Sequence, residues 1–140
     1  MEEPLVACLP VGHRLAKKFT IWPEELANEP MVSVMRKALP GRHDDIAMHF
    51  ESLGVSLRFL AEAFLLKEAL WLVAQRIGVL LITKFSGSSY RQDVVVKPLS
   101  DRLLTVLSWV FTRRDHVQKL VSDFVDLARA ETANLRASPL

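Results

Sequence analysis

Cysteine and glycine are scarce in this 140-residue sequence, which has one cysteine and five glycines. A single thiol excludes an internal disulfide and any zinc site that is built on several thiolates. So few glycines exclude a collagen-like or glycine-rich repeat. Cys8 lies in an apolar run, which predicts an inert core thiol rather than a nucleophile. This cysteine usage favours a reducing cytoplasm as the compartment.

The sequence also has no large excess of charge of one sign and no long apolar run. The 18 basic residues stand against 16 acidic residues, whereas a nucleic-acid-binding domain usually carries a basic stripe. The most apolar region, 57–82, is interrupted by charged side chains, so no stretch of about 18 uncharged residues could span a membrane. The acidic start is unlike a signal peptide. With 50% apolar residues, the chain predicts one globular domain or two small lobes.

Motifs of catalysis are absent as well. Residues 86–89, SGSS, lack the spacing of a nucleophile elbow, and no glycine-rich phosphate loop occurs. The run 43–45, HDD, together with His49 invites a metal-site hypothesis. On a helix, however, His43 and His49 point about 120° apart, and Asp45 with His49 supplies only two ligands. We therefore interpret this run as a solvated helix face and expect no enzyme, metal site or cofactor.

Strand-like and helix-like segments alternate along the chain. Short apolar runs predict strands, and apolar residues at helical spacing predict amphipathic helices. The predicted strands are 5–9, 31–35, 55–61, 79–82, 94–97 and 103–112, and the predicted helices are 42–53, 65–77 and one that begins near 116. This order indicates an α/β fold with a parallel-rich sheet, flanking helices and right-handed crossovers. The pattern is lost from Thr132 onwards, which predicts a frayed tail.

Cationic and apolar side chains lie where two of the predicted strands end. Met35 ends the second strand and is followed by Arg36 and Lys37, while Phe64 and Leu65 follow the third strand and open a helix. Ligands of open α/β sheets bind outside the carboxyl ends of the strands. Two cations there could hold a carboxylate, and free N–H groups at the helix start could hold an anion. The competing interpretations are an ordinary basic loop and core packing of the two apolar residues.

Four short segments match a known family pattern in order and spacing. They are EPLV at 3–6 with LPVGHRLA at 9–16, IWPEELANEP at 21–30, LVAQRIGVLLI at 72–82, and VKPL at 96–99. The family usually has proline, glycine, proline and arginine where this chain has Arg14, Arg76, Thr83 and Lys97. From about Glu2 to Glu131 the chain resembles the effector-binding region of LysR-type transcriptional regulators.

The resemblance implies a periplasmic-binding-protein-like fold, in which two crossover strands join two α/β subdomains and the first subdomain is incomplete here. By this analogy residues 1–8 are a crossover strand from the first subdomain, and 9–104 are the second subdomain. Residues 105–135 are then the return strand and C-terminal helix of the first subdomain, and 136–140 are a frayed tail. The analogy also places the loop that carries Arg36 and Lys37 in the cleft between the subdomains.

The leading hypothesis is an effector-sensing and oligomerisation domain of a LysR-type regulator in the cytoplasm. Its expected partners are a small-molecule effector, anionic if Arg36 and Lys37 line the cleft, and a second copy in a dimer. DNA would be bound only through a helix-turn-helix that is absent from this chain, and no membrane is expected. The alternative is a solute-binding domain without a DNA role. Proteins of that class are exported, and no signal peptide is seen.

Overall fold

A computed structural model describes residues 2–35, 41–84, 92–100, 105–107 and 119–137. By its internal contacts the chain divides into two compact units. Residues 3–106 form one unit, which holds the sheet, and the two termini form the other, whose described part is mainly one helix. None of the helices in these ranges has the length and apolar character needed to cross a membrane.

Six strands and three helices make up the described fold. The strands are β1 (Glu2–Pro10), β2 (Pro30–Val34), β3 (Arg58–Ala63), β4 (Val79–Thr83), β5 (Val94–Pro98) and β6 (Thr105–Leu107). The helices are α1 (Arg42–Ser52), α2 (Leu66–Ala74) and α3 (Lys119–Ala137). Two short 3-10 helices, Arg14–Lys17 and Pro23–Leu26, lie between β1 and β2.

The sheet has the order β3-β2-β4-β1-β5, and β6 also pairs with β1. Strand β2 runs parallel to β3 and to β4, whereas β1 runs antiparallel to β4 and to β5. Helix α1 connects β2 to β3 and helix α2 connects β3 to β4, as expected for a parallel sheet. The expected α/β architecture with flanking helices is confirmed.

Strand β1 belongs to the sheet over most of its length. Its pairing with β4 begins at Leu5, opposite Thr83, and its pairing with β5 extends to Pro10, opposite Val94. The segment 1–8, predicted as a crossover between subdomains, is therefore itself largely a sheet strand. Its assignment to a first subdomain stays a prediction.

Strand β4 is the most deeply buried element of the sheet. All five of its residues are buried, because strands pair with it on both edges and apolar clusters cover both of its faces. Val79 and Leu81 join the cluster that includes Phe50 of α1, while Leu80 and Ile82 join the cluster that includes Val73 of α2. The prediction that 79–82 is a strand is confirmed, and the structure shows that this strand is buried on both faces.

The ends of α1 and α2 share one hydrogen-bonding pattern. After α1, Gly54 has φ +76°, its N–H donates to Glu51 O, and the N–H of Val55 donates to Phe50 O. This is the Schellman motif, in which a left-handed residue satisfies the last carbonyls of a helix. The end of α1 at Ser52 agrees within one residue with the predicted helix 42–53.

Helix α2 ends in the same way, but with arginine in the left-handed position. Arg76 has φ +62°, its N–H donates to Val73 O, and the N–H of Ile77 donates to Leu72 O. A guanidinium N–H of Arg76 also donates to Val11 O at 3.3 Å. The predicted helix 65–77 is therefore too long, because the motif closes the helix at Ala74.

Two further predicted boundaries are corrected. Strand β3 begins at Arg58 rather than at residue 55, since residues 55–57 precede the pairing with β2. Helix α3 continues to Ala137, although helical order was expected to end at Thr132. Alanine, leucine and arginine in this stretch have high helix propensity, which sustains a helix after its apolar pattern is lost. Most of the predicted strand 103–112 and loop 84–93 lies outside the described residues.

Gly78 allows β4 to begin close against β2. A Cβ atom at this position would lie 2.5 Å from Pro30 O and 3.2 Å from Val32 Cγ2. The first of these distances is shorter than a real Cβ tolerates, and the atom in the way belongs to the backbone. Any larger residue therefore has to push β4 away from β2.

The variant Gly78→Ala is expected to lower the free energy of unfolding by about 1–3 kcal/mol, the usual range for overpacking a core. Urea denaturation followed by circular dichroism measures this loss. Ser56→Ala, at an exposed position in the segment before β3, is the control and should change stability by no more than about 0.5 kcal/mol. Equal stabilities of Gly78→Ala and the wild type would contradict the close approach.

Candidate functional site

The parallel strands β2 and β3 end side by side at one edge of the sheet. Val34 pairs with Ala63 at the last position of both strands, and the N–H of Met35 donates to Ala63 O at 2.7 Å. Met35 and Phe64 therefore leave the sheet next to each other, which brings together two of the predicted site residues. Arg36 and Lys37, which follow Met35, lie outside the described residues.

Phe64 and Leu65 are exposed at this edge. Phe64 exposes 60% of its surface and Leu65 exposes 54%, so core packing does not account for them. The preceding Ala63 and the later Ala69 and Leu70 are buried and supply the packing of this segment instead. Two large apolar side chains are therefore exposed near the carboxyl ends of β2 and β3.

A side chain of α2 caps the segment that leads into the helix. The N–H groups of Phe64 and Leu65 both donate to Glu68 Oε2, at 3.0 and 3.2 Å. These two donors precede Leu66, the first residue of the helix, so the prediction that free N–H groups at this helix start could hold an anion stays a prediction. Glu68 stands three residues after the N-cap Leu65, which is the spacing of a capping box. From the sequence, that spacing could have identified Glu68 as a capping residue.

A buried hydroxyl group lies near the end of β2. Ser33 is buried between the paired strands β3 and β4, and its Oγ has no hydrogen-bond partner in the described part of the chain. Ser33 precedes Met35 by two residues, a spacing that places two side chains on the same face of an extended segment. Ser33 is not among the predicted site residues, although a serine within an apolar strand could have indicated it.

The histidine run does not form a metal site. Among the residues that the structure describes, no three His, Cys, Asp or Glu side chains are grouped so that they could hold a metal ion. The solvated-face interpretation is wrong for His43, whose ring packs against Phe59 of β3 with centroids 4.3 Å apart and planes tilted by 38°. The ring is only partly exposed, because it covers the apolar face of the sheet near the start of α1.

The chain carries a second cluster of charged groups between β1 and β2. The carboxylate of Glu29 is nearly buried and contacts Arg14 Nη2 at 2.6 Å and His13 Nε2 at 3.3 Å. Nearby, a hydrogen bond from Lys18 and one from the Trp22 N–H hold the pKa of Glu25 below its usual value. These contacts link the two 3-10 helices to each other and to the residue before β2, and they stabilise the fold.

The sequence matches the family model of the LysR substrate binding domain over residues 1–133. The chain belongs to this family. The match confirms the resemblance drawn from the four short segments, and with it the periplasmic-binding-protein-like fold class.

Known relatives agree with this assignment. The chain is 25% identical over 136 residues to the HTH-type transcriptional regulator AlsR of Bacillus subtilis (strain 168), covering 96% of this chain and 45% of AlsR. It superposes on HinK, a LysR family transcriptional regulator from Pseudomonas aeruginosa, with a TM-score of 0.76 and 24% identity, covering 92% of this chain and 45% of HinK. The BenM effector binding domain with its effector benzoate gives a TM-score of 0.66 and 19% identity, with coverages of 72% and 46%. The chain thus spans less than half the length of each of these relatives.

Cys8 lies in β1 and is fully buried, as the sequence analysis expected for a core thiol. Burial raises the pKa of the Cys8 thiol to about 12, because the thiolate would lose its hydration. At pH 8 only about one thiol in ten thousand is then ionised, whereas a free cysteine is substantially ionised.

Cys8 is therefore expected to resist alkylation in the folded chain. Iodoacetamide at pH 8 should leave the intact-mass spectrum unchanged for hours. In about 6 M guanidinium, which denatures the chain fully, the same reagent should add one label within minutes. Rapid labelling without denaturant would show that the thiol is accessible and ionised.

Proposed function

We propose that this chain is the part of a LysR-type regulator that senses a small-molecule effector, and that the effector binds at the ends of β2 and β3. The observation that carries the proposal is the pairing of Val34 with Ala63, which sets Met35 beside Phe64 at an exposed edge. In open α/β sheets this edge is where ligands bind. The BenM effector binding domain, which has the same fold, holds benzoate.

The effector that this edge favours is a small carboxylate with an apolar body. Arg36 and Lys37 follow Met35 directly and would supply charge-assisted hydrogen bonds to a carboxylate. Phe64 and Leu65 offer apolar surface to the rest of the molecule. Benzoate combines these two properties and is a suitable first probe.

The response to the effector would be a shift between two arrangements of the regulator. A ligand changes such an equilibrium only by binding one arrangement more tightly than the other. DNA would be bound by a helix-turn-helix in another part of the regulator. A cytoplasmic location and the lack of an enzymatic role are part of this proposal, and the regulatory relatives support them. The alternative, a solute-binding domain without a DNA role, is not favoured, because the relatives reported above are transcriptional regulators.

Arg36→Ala, made in the longer regulator, is expected to weaken binding of a carboxylate effector. Loss of one charge-assisted hydrogen bond costs about 1.5–3 kcal/mol, which is about 10- to 100-fold in affinity. Isothermal titration calorimetry with benzoate, and with any carboxylate that a thermal-shift screen selects, measures the change.

The matched control for this variant is Arg58→Ala. Arg58 is an exposed arginine at the start of β3, so it lies at the edge of the sheet opposite to the proposed site. Its removal should leave the affinity unchanged. An equal affinity of the wild type and Arg36→Ala would show that Arg36 belongs to an ordinary surface loop.

We further propose that the chain associates with a second copy, as the sequence analysis expects. Helix α3 carries an apolar stripe at positions 120, 124 and 127, where the exposed fractions are 77% for Leu120, 61% for Phe124 and 61% for Leu127. Burial of one such side chain is worth about 1.5–3 kcal/mol. A soluble protein rarely leaves a continuous apolar patch uncovered.

Sedimentation equilibrium at micromolar concentration is expected to give twice the chain mass of 15.8 kDa. Phe124→Lys places a charge in the stripe and should shift the equilibrium to the monomer. Asp126→Lys adds the same side chain off the stripe and should leave the dimer intact. A monomer for the wild type at these concentrations would contradict the proposed association.

A further inference from the structure

His13 is the N-cap of the first 3-10 helix and uses both nitrogens of its ring. Its Nδ1 accepts a hydrogen bond from the N–H of Leu15 at 3.3 Å, and its Nε2 lies 3.3 Å from Glu29 Oε2. A neutral imidazole has one donor nitrogen and one acceptor nitrogen. Because Nδ1 is the acceptor here, the proton lies on Nε2, which donates to the carboxylate of Glu29.

A proton added to the ring is compatible with only one of these two contacts. The imidazolium carries a hydrogen on each nitrogen and has no acceptor. Its Nε2–H still donates to Glu29, and that contact becomes charge-assisted. At Nδ1, however, the new N–H group faces the N–H of Leu15, so the hydrogen bond of the cap is lost.

Several charged groups lie around the ring. The carboxylate of Glu29 faces Nε2, and Arg14 Nη2 contacts the other oxygen of that carboxylate at 2.6 Å. In the turn before His13, a guanidinium N–H of Arg76 donates to Val11 O at 3.3 Å, and Asp93 O accepts the N–H of Val11 at 3.0 Å. The contact with Glu29 holds the ring in place in both of its charge states.

We infer that His13 is a pH-sensitive cap: the neutral ring closes the start of the 3-10 helix Arg14–Lys17, and a proton on Nδ1 opens it while Glu29 retains the ring. The side chain of His13 is 19% exposed, so protons from the solvent reach it. Histidine is the side chain that changes its charge between about pH 5 and 8. This device involves none of the residues of the proposed effector site.

The response to acid is local. The side chain of Leu15 is buried in the apolar core and anchors the turn, so only the backbone at the start of the 3-10 helix opens. The turn leads directly to the exposed side chains of Lys17, Lys18 and Phe19. A surface that carries two cations and an aromatic ring therefore depends on pH.

The test follows the ring of His13 and the amide of Leu15 by NMR in the ¹⁵N-labelled chain, at about pH 8 and about pH 5. At the higher pH, the ring ¹⁵N signals should show an unprotonated Nδ1 and a protonated Nε2. At the lower pH both nitrogens should be protonated. Protection of the Leu15 amide from hydrogen exchange, corrected for the intrinsic pH dependence of exchange, should then fall about fivefold. That factor corresponds to about 1 kcal/mol, the usual contribution of an N-cap.

Two variants separate the cap from other effects of acid. Asparagine is a favoured N-cap whose side-chain oxygen accepts the same kind of hydrogen bond and does not titrate in this range. In His13→Asn, protection of the Leu15 amide should therefore be equal at the two pH values. His49→Asn removes a histidine of α1 and should retain the fivefold change. The amides of β4 are the reference for global stability, and their protection should not change with pH.

Any of four results would overturn the inference. The first is a proton on Nδ1 of His13 at the higher pH, and the second is a ring that stays neutral at the lower pH. The third is unchanged protection of the Leu15 amide when the ring gains its proton. The fourth is an equal loss of that protection in His13→Asn, which would show that acid acts on this turn through another group.

Discussion

The parallel pairing of β2 with β3 on one side and β4 on the other is the constraint on which the rest of the described fold depends. Parallel strands need a crossover between them, and α1 and α2 supply the two crossovers. Each crossover begins at the carboxyl end of a strand. The segments after Val34 and after Ala63 therefore lie at the same edge of the sheet. The candidate site is therefore a consequence of connectivity, and its side chains can vary without any change in the fold.

The order of elements could be predicted from the sequence because the signals there are local and strong. The run 79–82 has no polar residue, and Gly54 follows an apolar stripe at helical spacing. Both signals act through burial and backbone conformation, which a short segment largely determines by itself. The assignment to a family was accessible for a related reason, since four short segments retain their order and spacing across the match of residues 1–133.

Predictions from the sequence are wrong where two local patterns compete or where a contact joins segments that are distant in sequence. Ile77 continues the apolar stripe of α2, but the left-handed Arg76 ends the helix at Ala74. Residues 132–137 lack a stripe, but their propensity keeps them helical. At the site, the exposure of Phe64 depends on how the chain turns after β3. His43 likewise packs on Phe59, a contact between segments that are distant in sequence.

The arginine that ends α2 has a consequence for how such sequences diverge. A left-handed non-glycine residue costs about 1–2 kcal/mol, and the guanidinium contact with Val11 O returns about 0.5–1.5 kcal/mol. Glycine would remove the strain, but it would lose that contact and raise the entropy of the unfolded chain by an amount worth about 0.5–1 kcal/mol. The two residues are then nearly equivalent in net stability. A lineage can exchange one for the other by neutral drift, so a glycine can vanish from a family pattern while the turn that required it persists.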